Sequence, residues 1–77
     1  MKLYQFLRLL RKTEYLVLAS DSGEILEFGF DPLDVSGLDG WEVVGLQTVA
    51  PGYCERLDPE GSLGSSGLFV VLKRPED

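Results

Sequence analysis

The residues that could carry out chemistry are few and scattered along this chain. His is absent and Cys54 is the single thiol, so acid–base catalysis at neutral pH would depend on carboxylates or on a perturbed Lys, Tyr or Cys. Arg56, two positions after Cys54, could lower the pKa of the thiol, but Glu55 opposes that effect and no imidazole base is present. We therefore expect a protein that is not an enzyme and predict no catalytic residues.

Neither a metal nor a cofactor is indicated. Asp31, Asp34 and Asp39 could offer oxygen ligands to a hard cation. Their spacing matches no calcium-binding loop, and helix capping would account for the first two. The Gly-rich residues 61–67 lack the Lys-Ser or Lys-Thr of a phosphate-binding P-loop. We predict no metal site and no cofactor.

The charge is unevenly distributed. The formal net charge is −6 at pH 7, which opposes binding to duplex nucleic acid, because that binding depends on many Lys and Arg. Yet six of the seven basic residues lie near the two ends of the chain: Lys2, Arg8, Arg11, Lys12, Lys73 and Arg74. If the ends meet in space, an acidic domain carries one basic patch. The alternative is that these charges are solvated residues flanking apolar segments.

A basic patch of this kind would suit a small anionic ligand. In residues 51–67, Arg56 could meet an anionic group and Tyr53 could stack on a ring, if the segment forms an adaptable lid. The alternative is a flexible loop, because the segment is long and rich in Gly, Ser and Pro. The candidate ligand-binding residues are Tyr53, Arg56, Lys73, Arg74, Arg8 and Arg11.

The length of 77 residues predicts a single domain, 1–77. A domain of this size hides only about 60% of its unfolded surface, so self-association would help its stability. No window approaches the roughly 20 apolar residues of a membrane span. The basic N-terminal residues lack the small-residue cleavage site of a secretory signal. We expect a cytoplasmic protein without a membrane span.

The apolar patterns predict a helix followed by strands. Leu3, Phe6, Leu7 and Leu10 recur at helical spacing and predict an amphipathic N-terminal segment over 1–12, helical over 2–12, although a strand stays open. Four strands are expected, at 13–19, 24–30, 41–49 and 68–75, the first two forming a hairpin. On the second strand, alternation places Leu26, Phe28 and Phe30 on the face toward the core.

A short helix is predicted before the only Trp, over residues 32–38. Asp31 would cap it and Pro32 would occupy its first position. Gly40 would let the chain reverse into the next strand, and Trp41 would fill the space between helix and sheet. The predicted fold is α+β, with an antiparallel sheet of about four strands and helices on one face.

Residues 37–45, Gly-Leu-Asp-Gly-Trp-Glu-Val-Val-Gly, and residues 69–75, Phe-Val-Val-Leu-Lys-Arg-Pro, resemble a family of short bacterial and phage proteins, the domain of unknown function 4177. The resemblance covers residues 13–75. It implies a helix ending in Gly-x-x-Gly-Trp-Glu between strands and a last strand that closes on Lys-Arg. It implies a fold but supplies no catalytic residues. Residues 1–12 and the short helix broken by Gly37 depart from the family's pattern.

Two functions are consistent with these features. The first is a non-catalytic interaction module that self-associates through an edge strand or through the apolar face of the first helix. The second is sequestration of a small anionic, nucleotide-like signal between subunits, as some phage-encoded oligomers of comparable size do. In that case Tyr53, Arg56 and the basic terminal residues would line the pocket.

Overall fold

The computed structural model describes residues 1–10 and 14–76. Their elements, in chain order, are α1 (Leu3–Leu7), β1 (Tyr15–Ser20), β2 (Ile25–Phe30), β3 (Glu42–Val49), α2 (Pro51–Leu57) and β4 (Gly67–Lys73). The strands form one sheet in the order β2-β1-β4-β3. The predicted α+β fold with about four strands is confirmed.

The sheet is mixed, so the prediction of a fully antiparallel sheet is wrong at its centre. β1 pairs antiparallel with β2, and β3 pairs antiparallel with β4. The central strands β1 and β4 run parallel, with Tyr15 beside Gly67 and Ser20 beside Leu72. A parallel pair needs a long crossover, and here the chain between β1 and β4 supplies it with β2, β3 and α2.

β1 is buried on both of its faces, as its continuous apolar run predicts. On what we call the first face, Leu16 and Leu18 pack with Leu3, Phe6, Val70 and Leu72, which together form the first cluster. On the second face, Tyr15 and Val17 pack with Cys54 and form the second cluster. α1 and the 33–41 segment cover the first face, whereas α2 covers the second. Helices therefore lie on both faces of the sheet, not on one.

The N-terminal helix is shorter than predicted. α1 spans Leu3–Leu7, and residues 11–12 of the predicted helix lie outside the described residues. Lys2 forms an antiparallel bridge with Glu42 of β3. On either side of it, Leu3 N–H donates to the Trp41 carbonyl at 2.8 Å, and Val43 N–H donates to the Met1 carbonyl at 2.8 Å. The first residues of the chain therefore pair with the beginning of β3.

No helix forms between β2 and β3, so the prediction for residues 32–38 is wrong. The N–H of Ser36 donates to Asp34 Oδ1 at 3.1 Å, and the N–H of Leu38 donates to the Val35 carbonyl at 2.7 Å. A short polar side chain such as that of Asp34 can accept a hydrogen bond from a nearby backbone N–H, in place of the carbonyl that would accept it in a helix. Ser and Gly in this segment are also weak helix formers.

The structural roles predicted for Asp31, Pro32 and Gly40 are consequently not those observed. The bond between Asp31 and Pro32 is cis, and the N–H of Asp31 donates to the Glu14 carbonyl at 2.9 Å, which joins the end of β2 to the residue before β1. Gly40 does not adopt a positive φ, and a Cβ added there would meet nothing within 4 Å. The turn before Trp41 therefore does not require glycine.

The predicted hairpin between β1 and β2 forms, but with a bulge. Leu18 pairs with Glu27 and Ala19 with Ile25, which leaves Leu26 as the extra residue. Phe28 and Phe30 contact the second cluster, whereas Leu26 contacts the first. The prediction that Leu26 shares a face with the two Phe is wrong, because a bulge breaks the two-residue alternation.

The segment predicted as a 51–67 loop begins with α2, so that prediction is wrong for residues 51–57. Pro51 occupies the first turn, where its missing N–H leaves no hydrogen bond unmade. Cys54 is the buried residue of this helix, and Tyr53 and Leu57 contact the same cluster. The first seven residues of the segment whose Gly, Ser and Pro content suggested a loop therefore form a helix.

Candidate functional site

The two ends of the chain meet at the beginning of β3. Glu42 is bridged to Lys2 on one side and paired with Lys73 of β4 on the other. Arg74, the next residue, places its guanidinium 5.5 Å from the centre of the Trp41 ring. Three of the basic terminal residues are thus grouped around Glu42 and Trp41.

Two carboxylates, those of Glu42 and Glu76, lie beside positively charged groups of this region and partly neutralise their charge. Glu42 Oε2 lies 3.5 Å from the amino group of Met1, and Lys73 Nζ lies 3.9 Å from Glu76 Oε1. Exposed ion pairs of this kind contribute about 0–1 kcal/mol to stability. They nevertheless reduce the positive potential that an anion would meet.

The remaining candidate ligand residues lie elsewhere. The Arg8 guanidinium lies over the Tyr4 ring, 5.8 Å from its centre. Arg11 lies outside the described residues. Tyr53 packs edge-to-face against Phe69 on the second face, with ring centres 6.0 Å apart. Arg56 is exposed on the same helix, α2. Since Trp41 belongs to the first face, one chain does not bring Tyr53 and Arg56 together with Arg74.

A cleft of about 290 Å³ opens beside Trp41 and Arg74. The turn between β1 and β2 forms its other wall, held in place because Asp21 N–H donates to the Leu72 carbonyl at 2.9 Å. Asp21 and Glu24 line the cleft opposite the single guanidinium. Two carboxylates against one cation disfavour an anionic ligand here.

Tyr15 and Cys54 are the buried residues with polar side-chain atoms in the second cluster. The Tyr15 hydroxyl donates to Asp58 Oδ2 at 2.9 Å, and burial together with this carboxylate raises the pKa of the phenol well above its usual range. Burial also raises the pKa of the Cys54 thiol. Only a thiolate is a strong nucleophile, so Cys54 is not activated. The nearby Ser62 hydroxyl is buried without a hydrogen-bond partner.

The most open feature of the described sheet is the outer edge of β3. Among the described residues only Lys2 bridges to that edge, at Glu42. Val44 and Leu46 are 52% and 54% exposed, and no charged residue follows Glu42 within the strand. Edge strands are normally shortened or carry charges that prevent pairing with another chain. β3 carries no charged side chain from Val43 to Val49, so it lacks that protection over most of its length.

The other edge strand, β2, has more protection. Glu27 stands in its middle and the bulge at Leu26 interrupts its register. Both features hinder the addition of another strand. An edge strand was predicted as an association surface, but its identity was not. The uncharged run after Glu42 is the sequence signal that could have singled out β3.

Comparisons of the chain with protein-family models, with curated proteins and with solved structures find no match. The resemblance carried by residues 37–45 and 69–75 therefore stays a prediction. In the part of the chain that the structure describes, no helix is both long and apolar enough to cross a membrane. The same residues contain no cluster of three or more Asp, Glu, Cys or His side chains that could hold a metal ion.

Proposed function

We propose that this chain is a non-catalytic interaction domain that self-associates through the outer edge of β3. The observation that carries the proposal is the run from Val44 to Val49, which lies at the edge of the sheet and contains no charge. The backbone N–H and C=O groups of an edge strand can pair with another strand. Burial of Leu46, now 54% exposed, would add to the stability of the complex.

The edge strand is a better association surface than the first helix. Leu3 and Phe6, which form the apolar face of α1, are 0% and 8% exposed because they pack on the sheet. That face is therefore already used within the domain. Tyr4 and Leu9 are exposed near it, but their N–H groups already donate to the carbonyls of Asp39 and Phe6. We also propose a cytoplasmic location, supported by Cys54 being a lone buried thiol.

Sequestration of a small anionic ligand is the second candidate. It is favoured by the Arg74 guanidinium stacked on Trp41 beside a cleft, an arrangement that could hold a planar anionic group. Asp21 and Glu24 in the same cleft oppose it. A pocket that also used Tyr53 and Arg56 would need a second subunit, because they lie on the other face of the sheet.

Native mass spectrometry of freshly purified protein tests both candidates. We expect an oligomer whose mass is a whole multiple of the chain mass, with no mass gained from a panel of nucleotides. A monomer at every concentration would contradict self-association. A reproducible extra mass, released intact on denaturation, would replace the first proposal with the second, and an altered nucleotide would indicate an enzyme.

A further inference from the structure

We infer that the second chain at this edge is another copy of the same chain, paired antiparallel over residues 45–49 about a two-fold axis at Gln47. Gln47 of one copy then lies opposite Gln47 of the other, and one continuous sheet runs through both copies. This inference rests on the proposed function and adds the partner, the direction and the register.

The extent of the pairing segment follows from what already interrupts the edge. The first residues of the chain cover Glu42 and Val43, through the Lys2 bridge and the hydrogen bond from Val43 N–H to the Met1 carbonyl. The register against β4 shifts between Val43 and Gly45 and is regular from there to Val49. Among the described residues, the stretch of this edge that is regular and carries no bridge is therefore 45–49, whose midpoint is Gln47.

The chemistry of this stretch suits a second copy. In an antiparallel two-fold pair, the residue on the axis lies opposite its own copy, and like charges directly opposite are destabilising. The residues 45–49, Gly-Leu-Gln-Thr-Val, contain no charge, although the chain as a whole carries −6. A Gln amide both donates and accepts hydrogen bonds. Two Gln47 side chains on the axis can therefore satisfy each other.

The flanking positions also pair favourably. Leu46 pairs with Val70 and Thr48 with Leu68 within the chain. Val70 belongs to the first cluster and Leu68 packs against it. Leu46 and Thr48 therefore share the first face. In the two-fold pair, Leu46 lies opposite Thr48 of the second copy and diagonal to its Leu46, within reach of apolar contact. The contact extends the apolar layer of each copy across the axis.

The assembly is expected to close at two copies. An open chain of subunits would need β3 of one copy to pair with β2 of the next, and Glu27 and the bulge at Leu26 obstruct β2. A two-fold pair uses the same edge of both copies and leaves no second β3 edge free. Larger rings or fibres are not expected.

Cysteine cross-linking tests the register. Residues directly opposite on antiparallel strands have Cα atoms roughly 4.5–5.5 Å apart, a separation that a disulfide can bridge. We expect Gln47→Cys to form a covalent dimer under mild oxidation. Glu55→Cys, exposed on α2, is the matched control and should stay uncrosslinked, as should the parent chain, whose Cys54 is 0% exposed.

Two further variants test the edge itself, with size measured by light scattering. Leu46→Lys brings cations of the two copies together and should raise the dimer dissociation constant at least about tenfold. Leu9→Lys, at a 71% exposed position near α1, should not raise it.

An N-terminal extension is the second variant. The bridge between Lys2 and Glu42 is antiparallel, so about six alternating Thr and Val residues added before Met1 would continue along β3 and cover its edge. This extended chain should be monomeric, so any purification tag belongs at the C-terminus.

The outcomes separate the two proposals. A parent chain that stays monomeric overturns both of them. A parent dimer that tolerates Leu46→Lys and the N-terminal extension overturns the β3 interface but leaves self-association in place. Loss of the dimer in both variants without a Gln47→Cys cross-link overturns the register alone.

Discussion

The hydroxyl of Tyr15 donates a hydrogen bond to Asp58 Oδ2 at 2.9 Å, joining the central strand β1 to the residue that ends α2. The other carboxylate oxygen of Asp58 accepts from the N–H of Gly61 at 3.0 Å. The Asp58 carbonyl accepts from the N–H of Ser62 at 3.1 Å. This carboxylate therefore anchors the chain after α2 to the core of the second face.

Tyr15→Phe should reduce the free energy of unfolding by about 1 kcal/mol at neutral pH, because it removes a hydrogen bond to a carboxylate. Urea unfolding measures the change. Tyr4→Phe is the control, since Tyr4 is 44% exposed and makes no such bond among the described contacts. A Tyr15→Phe variant as stable as the Tyr4→Phe control would contradict the role assigned to this bond.

The same pair predicts a dependence of stability on alkaline pH. Because the pKa of Tyr15 is raised in the folded protein, the unfolded chain loses the phenolic proton first, near the ordinary pKa of 10.0. The contribution of this group is therefore complete below pH 10 and decreases as the pH rises further. Unfolding between about pH 8 and 11 should show a smaller decrease in Tyr15→Phe than in the parent or in Tyr4→Phe. Identical slopes would count against the prediction.

Two glycines should respond differently to alanine. At Gly67 an added Cβ would lie 2.9 Å from the Tyr15 carbonyl oxygen and 3.1 Å from Cys54 Sγ, so Gly67→Ala should cost about 1–3 kcal/mol through overpacking. At Gly40 the added atom meets nothing within 4 Å. Gly40→Ala should therefore change stability by less than about 0.5 kcal/mol. Thermal unfolding of the two variants measures this difference. A loss of stability in Gly40→Ala as large as that in Gly67→Ala would show that the turn before Trp41 needs glycine.

Trp41→Ala should destabilise the domain by about 2–3 kcal/mol, less than the 3–5 kcal/mol typical of a fully buried aromatic residue. The ring packs on the first cluster but is only half-buried, and the Arg74 guanidinium covers part of it. Arg74→Gln is the matched variant and should cost about 0.5–1 kcal/mol, since it removes only the cation–π contact. Equal losses in the two variants would show that packing of the indole on the sheet is unimportant.

The Cys54 thiol should react slowly with a thiol-exchange reagent. It is 0% exposed and burial raises its pKa, so reaction requires opening of the structure. The Glu55→Cys variant should show one fast thiol and one slow thiol, and both should react at once in denaturant. Rapid modification of the parent chain under native conditions would contradict the packing of α2 on the second face.

Local sequence signals were sufficient where one interaction dominates. The apolar run before Ser20 is typical of a strand buried on both faces, and β1 has that burial. The hairpin predicted from the first two strands forms, and Gly23 in its turn has a φ of 94°, a conformation that glycine adopts readily. Signals failed where two local structures compete: Asp34 forms a turn with Ser36 instead of supporting a helix, and Pro51 begins a helix instead of a loop.

The candidate ligand residues illustrate a different limit. Lys2, Lys73 and Arg74 do come together, through pairing at the beginning of β3. Tyr53 and Arg56 lie apart from them, because α2 packs on the opposite face of the sheet. Which face a helix covers depends on the path of the chain across the sheet, and composition carries no information about that path.

The sequence by itself determined the α+β class, the four strand-forming runs and the chemistry of each segment, because hydrophobic period and turn residues act over a few neighbouring positions. Only the tertiary structure decided the parallel pairing of β1 with β4, the bulge that turns Leu26 to the first face, and the position of β3 at the edge. Those features depend on which distant strands pair, and in what register. The same uncharged run would be an ordinary interior strand if another strand covered it, and its place at the edge makes it available to a second chain.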